Sequence, residues 1–132
     1  MNEESSSSLV VVLNSKKELE YFRNRQLNEK QIQDLNIIDS QLTQGFKIDG
    51  QLISSPTQQD KATYIANLLV SALINNDELK MALCCSYLAT RYATLKQIRA
   101  TTQEGHYTIR LIYDQNFVEE SSVQFMNKKD LN

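Results

Sequence analysis

The chain carries no tryptophan, one proline, three glycines, one histidine and two cysteines among 132 residues, and each scarcity removes something. Three glycines leave no room for a glycine-rich phosphate loop, and no Gly-Lys-Ser or Gly-Lys-Thr element occurs, so nucleotide binding through the familiar loops is excluded. So little glycine and proline also argues for a helix-rich body with few tight turns. The two thiols, Cys84 and Cys85, are adjacent. On a helix their side chains diverge by about 100°, which prevents a loop-closing disulfide, and adjacency lacks the spacing that lets two sulfurs converge on zinc. Buried, inert thiols are expected, against the alternative of a redox-sensitive or intermolecularly paired cysteine. His106 follows Gly105 where a strand should begin, with no Asp or Cys held beside it, so it reads as an exposed hairpin residue and not as a catalytic base.

Long apolar runs are missing too. The longest near the start, Leu9 to Leu13, is preceded by Asn2-Glu3-Glu4 and four serines in place of a basic segment. The expectation is no membrane span, no signal peptide and a cytoplasmic protein. Nor does charge of one sign dominate: 14 basic and 16 acidic residues give a net charge of −2, so no global attraction to nucleic acid or anionic lipid is built in. The carboxylate pairs Glu3-Glu4 and Glu119-Glu120 fall in tails, and Asp77-Glu78 reads as a helix start that offsets the helix dipole. No cofactor or metal site is expected.

What is present is an apolar fraction of 41% in a length that suits one domain with its own core. Residues 1–8 read as a flexible tail, 9–114 as a single α+β domain, and 115–132 as a partly disordered tail around Val123 and Phe125. The apolar, β-branched run Leu9 to Leu13 predicts a strand buried on both faces. Ser15-Lys16-Lys17-Glu18 has the capping-box pattern and predicts a helix with Leu19 and Phe22 inward and Arg23, Asn24, Arg25 and Gln26 toward solvent. A second helix should begin at the cap Asn28, with Gln31 reaching back, and end at Gly45. The Asp49-Gly50 dipeptide predicts a tight hairpin pairing Ile48 with Gln51 and Phe46 with Ile53.

Further helices are predicted from the cap Ser55 to Ile74 and from Asp77 to Ala93, the latter apolar around more than half its circumference. With Thr102 to Gly105 as a loop, a last hairpin pairs Ala100 with Tyr107, Ile98 with Ile109 and Lys96 with Leu111, leaving Gln97, Arg99, Thr108 and Arg110 on the other face. The expected fold is α+β, with about four helices packed on one face of a small antiparallel sheet built from two hairpins.

The densest functional candidates sit in and before that hairpin. Arg91, Lys96, Arg99 and Arg110 form a basic set in which Glu104 is the only acid between Arg91 and Ile112. With Thr108 and an aromatic side chain from Tyr87, Tyr92 or Tyr113 they make a candidate partner-binding surface. Lys16, Lys17, Arg23 and Arg25 form a weaker cluster balanced by Glu18 and Glu20. With no catalytic constellation, the expected function is that of a small non-enzymatic adaptor or assembly factor, a homodimer that binds a protein partner through a helix face and the Arg-bearing hairpin. The alternatives are a nucleic-acid-binding module on the Arg99/Arg110 face, and a small-molecule sensor or atypical enzyme with a pocket between sheet and helices.

Overall fold

The computed structural model describes residues 8–118. Along them run β1 (Ser8–Leu13), β2 (Lys16–Phe22), α1 (Glu29–Thr43), β3 (Phe46–Ile48), β4 (Gln51–Ile53), α2 (Gln58–Ile74), α3 (Glu78–Arg91), β5 (Gln97–Gln103) and β6 (His106–Ile112). The expected tails, with Val123 and Phe125, lie outside the described residues except for Ser8 and residues 115–118. The α+β class is as expected, with three helices among the described residues in place of four.

The missing helix is β2. Its Ser15 capping box competes with a two-residue turn in which Asn14 and Ser15 both take positive φ, 52° and 71°. That turn matches the twist of an antiparallel pair. Leu19 and Tyr21 then alternate toward the core while Phe22 is 49% exposed, the period of a strand. The Asn14 side chain locks the arrangement, accepting from the Thr102 amide at 2.9 Å and donating to its hydroxyl at 3.0 Å.

The four-stranded sheet has the order β2-β1-β5-β6. Because β1 pairs with β5 in parallel, the sheet is mixed and not purely antiparallel. Its central position explains the uniformly apolar sequence of β1: Leu9, Val10, Val11 and Val12 are all buried. The predicted Phe46 to Ile53 hairpin forms in the predicted register but stands apart as a two-stranded sheet. The β5–β6 register is two residues from the expected one, with Ala100 opposite Ile109 and Ile98 opposite Leu111. The cause is a tighter turn, Glu104-Gly105 with φ of 50° and 89°, in place of a four-residue loop. A two-residue slip keeps every side chain on its expected face.

On one side of the sheet, α2 and α3 close the core. Leu9, Val11, Ile98 and Ala100 cluster with Ile65, Leu69 and Val70 of α2 and with Tyr87 and Leu88 of α3. Each fully buried aliphatic side chain of this kind contributes roughly 1.5–3 kcal/mol. The capping box of α1 at Asn28 and Gln31 is as predicted. That of α2 sits at Thr57 and Asp60 and not at Ser55 and Gln58, because the Asp60 carboxylate, placed at the positive end of the helix, accepts from the Thr57 amide at 2.9 Å. Gly45 has φ +99°, and a Cβ there would stand 2.7 Å from the Ile53 carbonyl oxygen, so only glycine ends α1 against β4. Arg23, expected in solvent, instead donates to the carbonyl oxygens of Ala89, Tyr92 and Leu95, filling acceptors that the end of α3 leaves open.

Candidate functional site

The face of the sheet turned away from α2 and α3 is assembled by strand alternation. The pairings Val12 with Lys17, Val12 with Arg99 and Arg99 with Arg110 set Lys17, Val12, Arg99 and Arg110 in one row across all four strands. The next row toward the turns pairs Thr101 with Thr108. Three cations thus share a row, and like charges directly opposite on paired strands repel.

Their charges are met differently. Lys17 Nζ lies 3.1 Å from Glu20 Oε1, and Ser8 Oγ donates to the same carboxylate at 2.7 Å. The Ser8 hydrogen bond, then Lys17, hold the Glu20 pKa below the ordinary carboxylate value. Arg99 Nη1 donates to Gln97 Oε1 at 2.8 Å, which fixes the guanidinium without neutralising it. Among the described residues, neither Arg99 nor Arg110 forms an ion pair.

Between these groups lies a polar cavity of about 220 Å³ lined by Val12, Ser15, Arg99, Ala100, Thr101, Thr108 and Arg110. Its apolar floor, Val12, is 1% exposed. The rest of the face is narrowed by the chain after β6. Gln97, itself 3% exposed, donates from Nε2 to the Gln115 carbonyl oxygen at 2.9 Å, and the Phe117 ring centroid stands 5.9 Å from Lys17 Nζ. The segment therefore turns back across the sheet from β6 toward β2, and among the described residues the Arg99/Arg110 end is the open part.

Of the residues singled out from the sequence, the fold brings together Arg99, Thr108 and Arg110. Lys96 occupies a position that alternates away from Arg99, where its amide donates to the Ile112 carbonyl oxygen at 2.8 Å. Arg91, Tyr87 and Tyr92 belong to a separate network that ties α3 to α1 and to the start of α2. Arg91 Nη2 lies 2.8 Å from Asp39 Oδ2, Tyr87 donates to Asp39 Oδ1 at 2.7 Å, and Tyr92 donates to Gln58 Oε1 at 3.1 Å. Burial, and then the bond to Asp39, raise the Tyr87 pKa well above the ordinary phenol value. These groups hold the helices together, and Tyr87 is 1% exposed.

Ser15, Thr101 and Val12 join the site without having been singled out. Thr101 was legible from its two-residue spacing from Arg99; Ser15 was hidden by the helical reading of its segment. The thiols of Cys84 and Cys85 are free and buried, and burial pushes them up to about 11 and about 12, so neither is an activated nucleophile. His106 lines a second, more apolar concavity of about 430 Å³ with Ser71, Ile74 and Tyr107. Among the described residues no group of three or more His, Cys, Asp or Glu side chains could hold a metal ion, and no helix is long and apolar enough to cross a membrane. No protein-family model matches the chain, and no curated protein and no solved structure matches it either.

Proposed function

We propose that the chain is a non-enzymatic cytoplasmic interaction domain, an adaptor or assembly factor, that engages an anionic segment of a protein partner through the β5–β6 face. The observation that carries this reading is the directly opposed pair Arg99 and Arg110, without an ion-pairing carboxylate among the described residues, beside a polar cavity. Opposed like charges weaken a sheet, and a partner that neutralises them recovers that energy. The exposed Leu79 and Leu83 of α3, 86% and 37% accessible and one helical turn apart, offer a second contact, to another copy of the chain.

The test is capture from an extract of the native host with the full chain as bait. The Arg99→Glu, Arg110→Glu double variant loses the partner retained by the original chain, and equal retention by both sinks the reading. Light scattering on the same proteins checks the dimer, which a strict monomer at working concentration would exclude. Nucleic acid is the weaker alternative, because Tyr87, Tyr92 and Tyr113, the aromatic groups such a surface would use for stacking, hydrogen-bond to Asp39, Gln58 and Gln59. Retention on RNA or DNA that falls steeply with added salt would favour it over a protein partner.

A further inference from the structure

We infer that the cavity between Arg99 and Arg110 is a binding site for a single phosphate monoester group, presented by a phosphorylated side chain of the partner. This rests on the reading of the β5–β6 face as a partner surface and adds the chemistry of the group recognised.

Two arginines and three hydroxyl-bearing residues line one concavity. Arg99 and Arg110 are opposite one another, Thr101 and Thr108 form the adjacent pair on the same face, and Ser15, in the β1–β2 turn, lines the same cavity. Arginine donates a planar fork that fits phosphate oxygens in bidentate fashion, and hydroxyls supply the further donors that a three-oxygen acceptor takes up. A carboxylate, with two oxygens in a plane, would leave part of this donor set without a partner.

The site is also organised before a ligand arrives. Gln97 tethers one arm of the Arg99 guanidinium at 2.8 Å, and the Asn14 side chain pins the turn that carries Ser15 to Thr102 at 2.9 Å. Preorganisation of this kind lowers the ordering cost of binding. The charge is local as well. Lys17, the third cation of the row, is paired with Glu20, and the whole chain is net −2. That distribution suits one phosphate group and not the run of phosphates on a polynucleotide, which needs an extended basic track.

The experiment is an amide chemical-shift titration of the full chain with inorganic phosphate and with phenyl phosphate at constant ionic strength, and with acetate in parallel. The expected result is saturable shifts at Ser15, Thr101 and Thr108 with both phosphates, and little with acetate. Arg99→Gln and Arg110→Gln, each with an otherwise unchanged spectrum, weaken phosphate binding by about ten-fold or more, the loss expected for a charge-assisted hydrogen bond. The Arg99→Lys, Arg110→Lys variant keeps the charge and loses the fork, so its binding is intermediate.

Absence of saturable shifts, equal shifts with acetate, or phosphate binding unaffected by both Gln variants would each overturn the site. A short single-stranded oligonucleotide whose affinity rises with length would overturn the single-phosphate assignment in favour of a polymer. Arg-dependent capture of a partner alongside a silent phosphate titration removes the phosphate site and leaves the partner surface standing. Phosphate binding without Arg-dependent capture does the reverse.

Discussion

On the helix side of the sheet Leu9, Val11, Ile98 and Ala100 are buried beneath α2 and α3, whereas on the other side the same sheet carries Lys17, Arg99 and Arg110 in one row. Period-two alternation makes both faces at once, so neighbouring residues such as Ile98 and Arg99 serve opposite ends. The helix side removes apolar area from water and sets stability. The open side sets Arg99 directly opposite Arg110, an arrangement that favours no fold and suits a ligand of opposite sign. Stability and recognition are thus separated by the thickness of one sheet.

Mutations that separate the two faces sharpen this contrast. Ile98, fully buried, carries the largest expected effect: Ile98→Ala leaves a cavity beneath the helices and costs about 2–5 kcal/mol in urea unfolding. A loss under about 1 kcal/mol would break the assignment of that face as the core. Next is an alkaline weakening from the thiols on the helix side. Their pKa values are raised to about 11 and about 12 from an ordinary value of 9.0. The folded state keeps protons that the unfolded chain releases above 9.0, so stability falls as pH rises from there toward 11–12. In a Cys84→Ala, Cys85→Ala variant the slope of stability against pH over this window should be flatter, whatever its absolute stability; an unchanged slope contradicts the burial of the thiols.

The smallest effect on stability belongs to the open face. Arg99→Gln with Arg110→Gln should change the unfolding free energy by no more than about 0.5 kcal/mol, or raise it slightly by relieving repulsion. A large loss would mean that the arginines hold the sheet, and the separation of the two faces would fail.

How much of this was legible beforehand depends on the range of the interactions. Gln31 reaches back to cap Asn28 within four residues, and Asp49-Gly50 dictates its own turn; both elements appear where local chemistry places them. Ser15 to Glu18 carries an equally good local signal for a helix. It is overruled because β1 is available as a pairing partner and Asn14 can bond Thr102, 88 residues away. The Arg99, Thr108 and Arg110 set was visible because alternation survives a two-residue error in register. The inclusion of Tyr87, Tyr92 and Arg91 with it did not survive, because their partners Asp39 and Gln58 come from other helices.

The sequence by itself determined the class of the fold, the ends of α1, the turn between β3 and β4, and the face on which Arg99 and Arg110 stand, since each follows from spacing and from contacts within a few residues. The tertiary structure alone decided that residues 16–22 are a strand, that β1 and β5 lie parallel at the centre of the sheet, and that Ser15 lines one cavity with the two arginines. The first rests on pairing with β1 next door, and the parallel pairing on hydrogen bonds between segments some 85 residues apart, as from Asn14 to Ala100. Local propensity carries no information about them, because the free energy that selects them is realised only when the sheet closes.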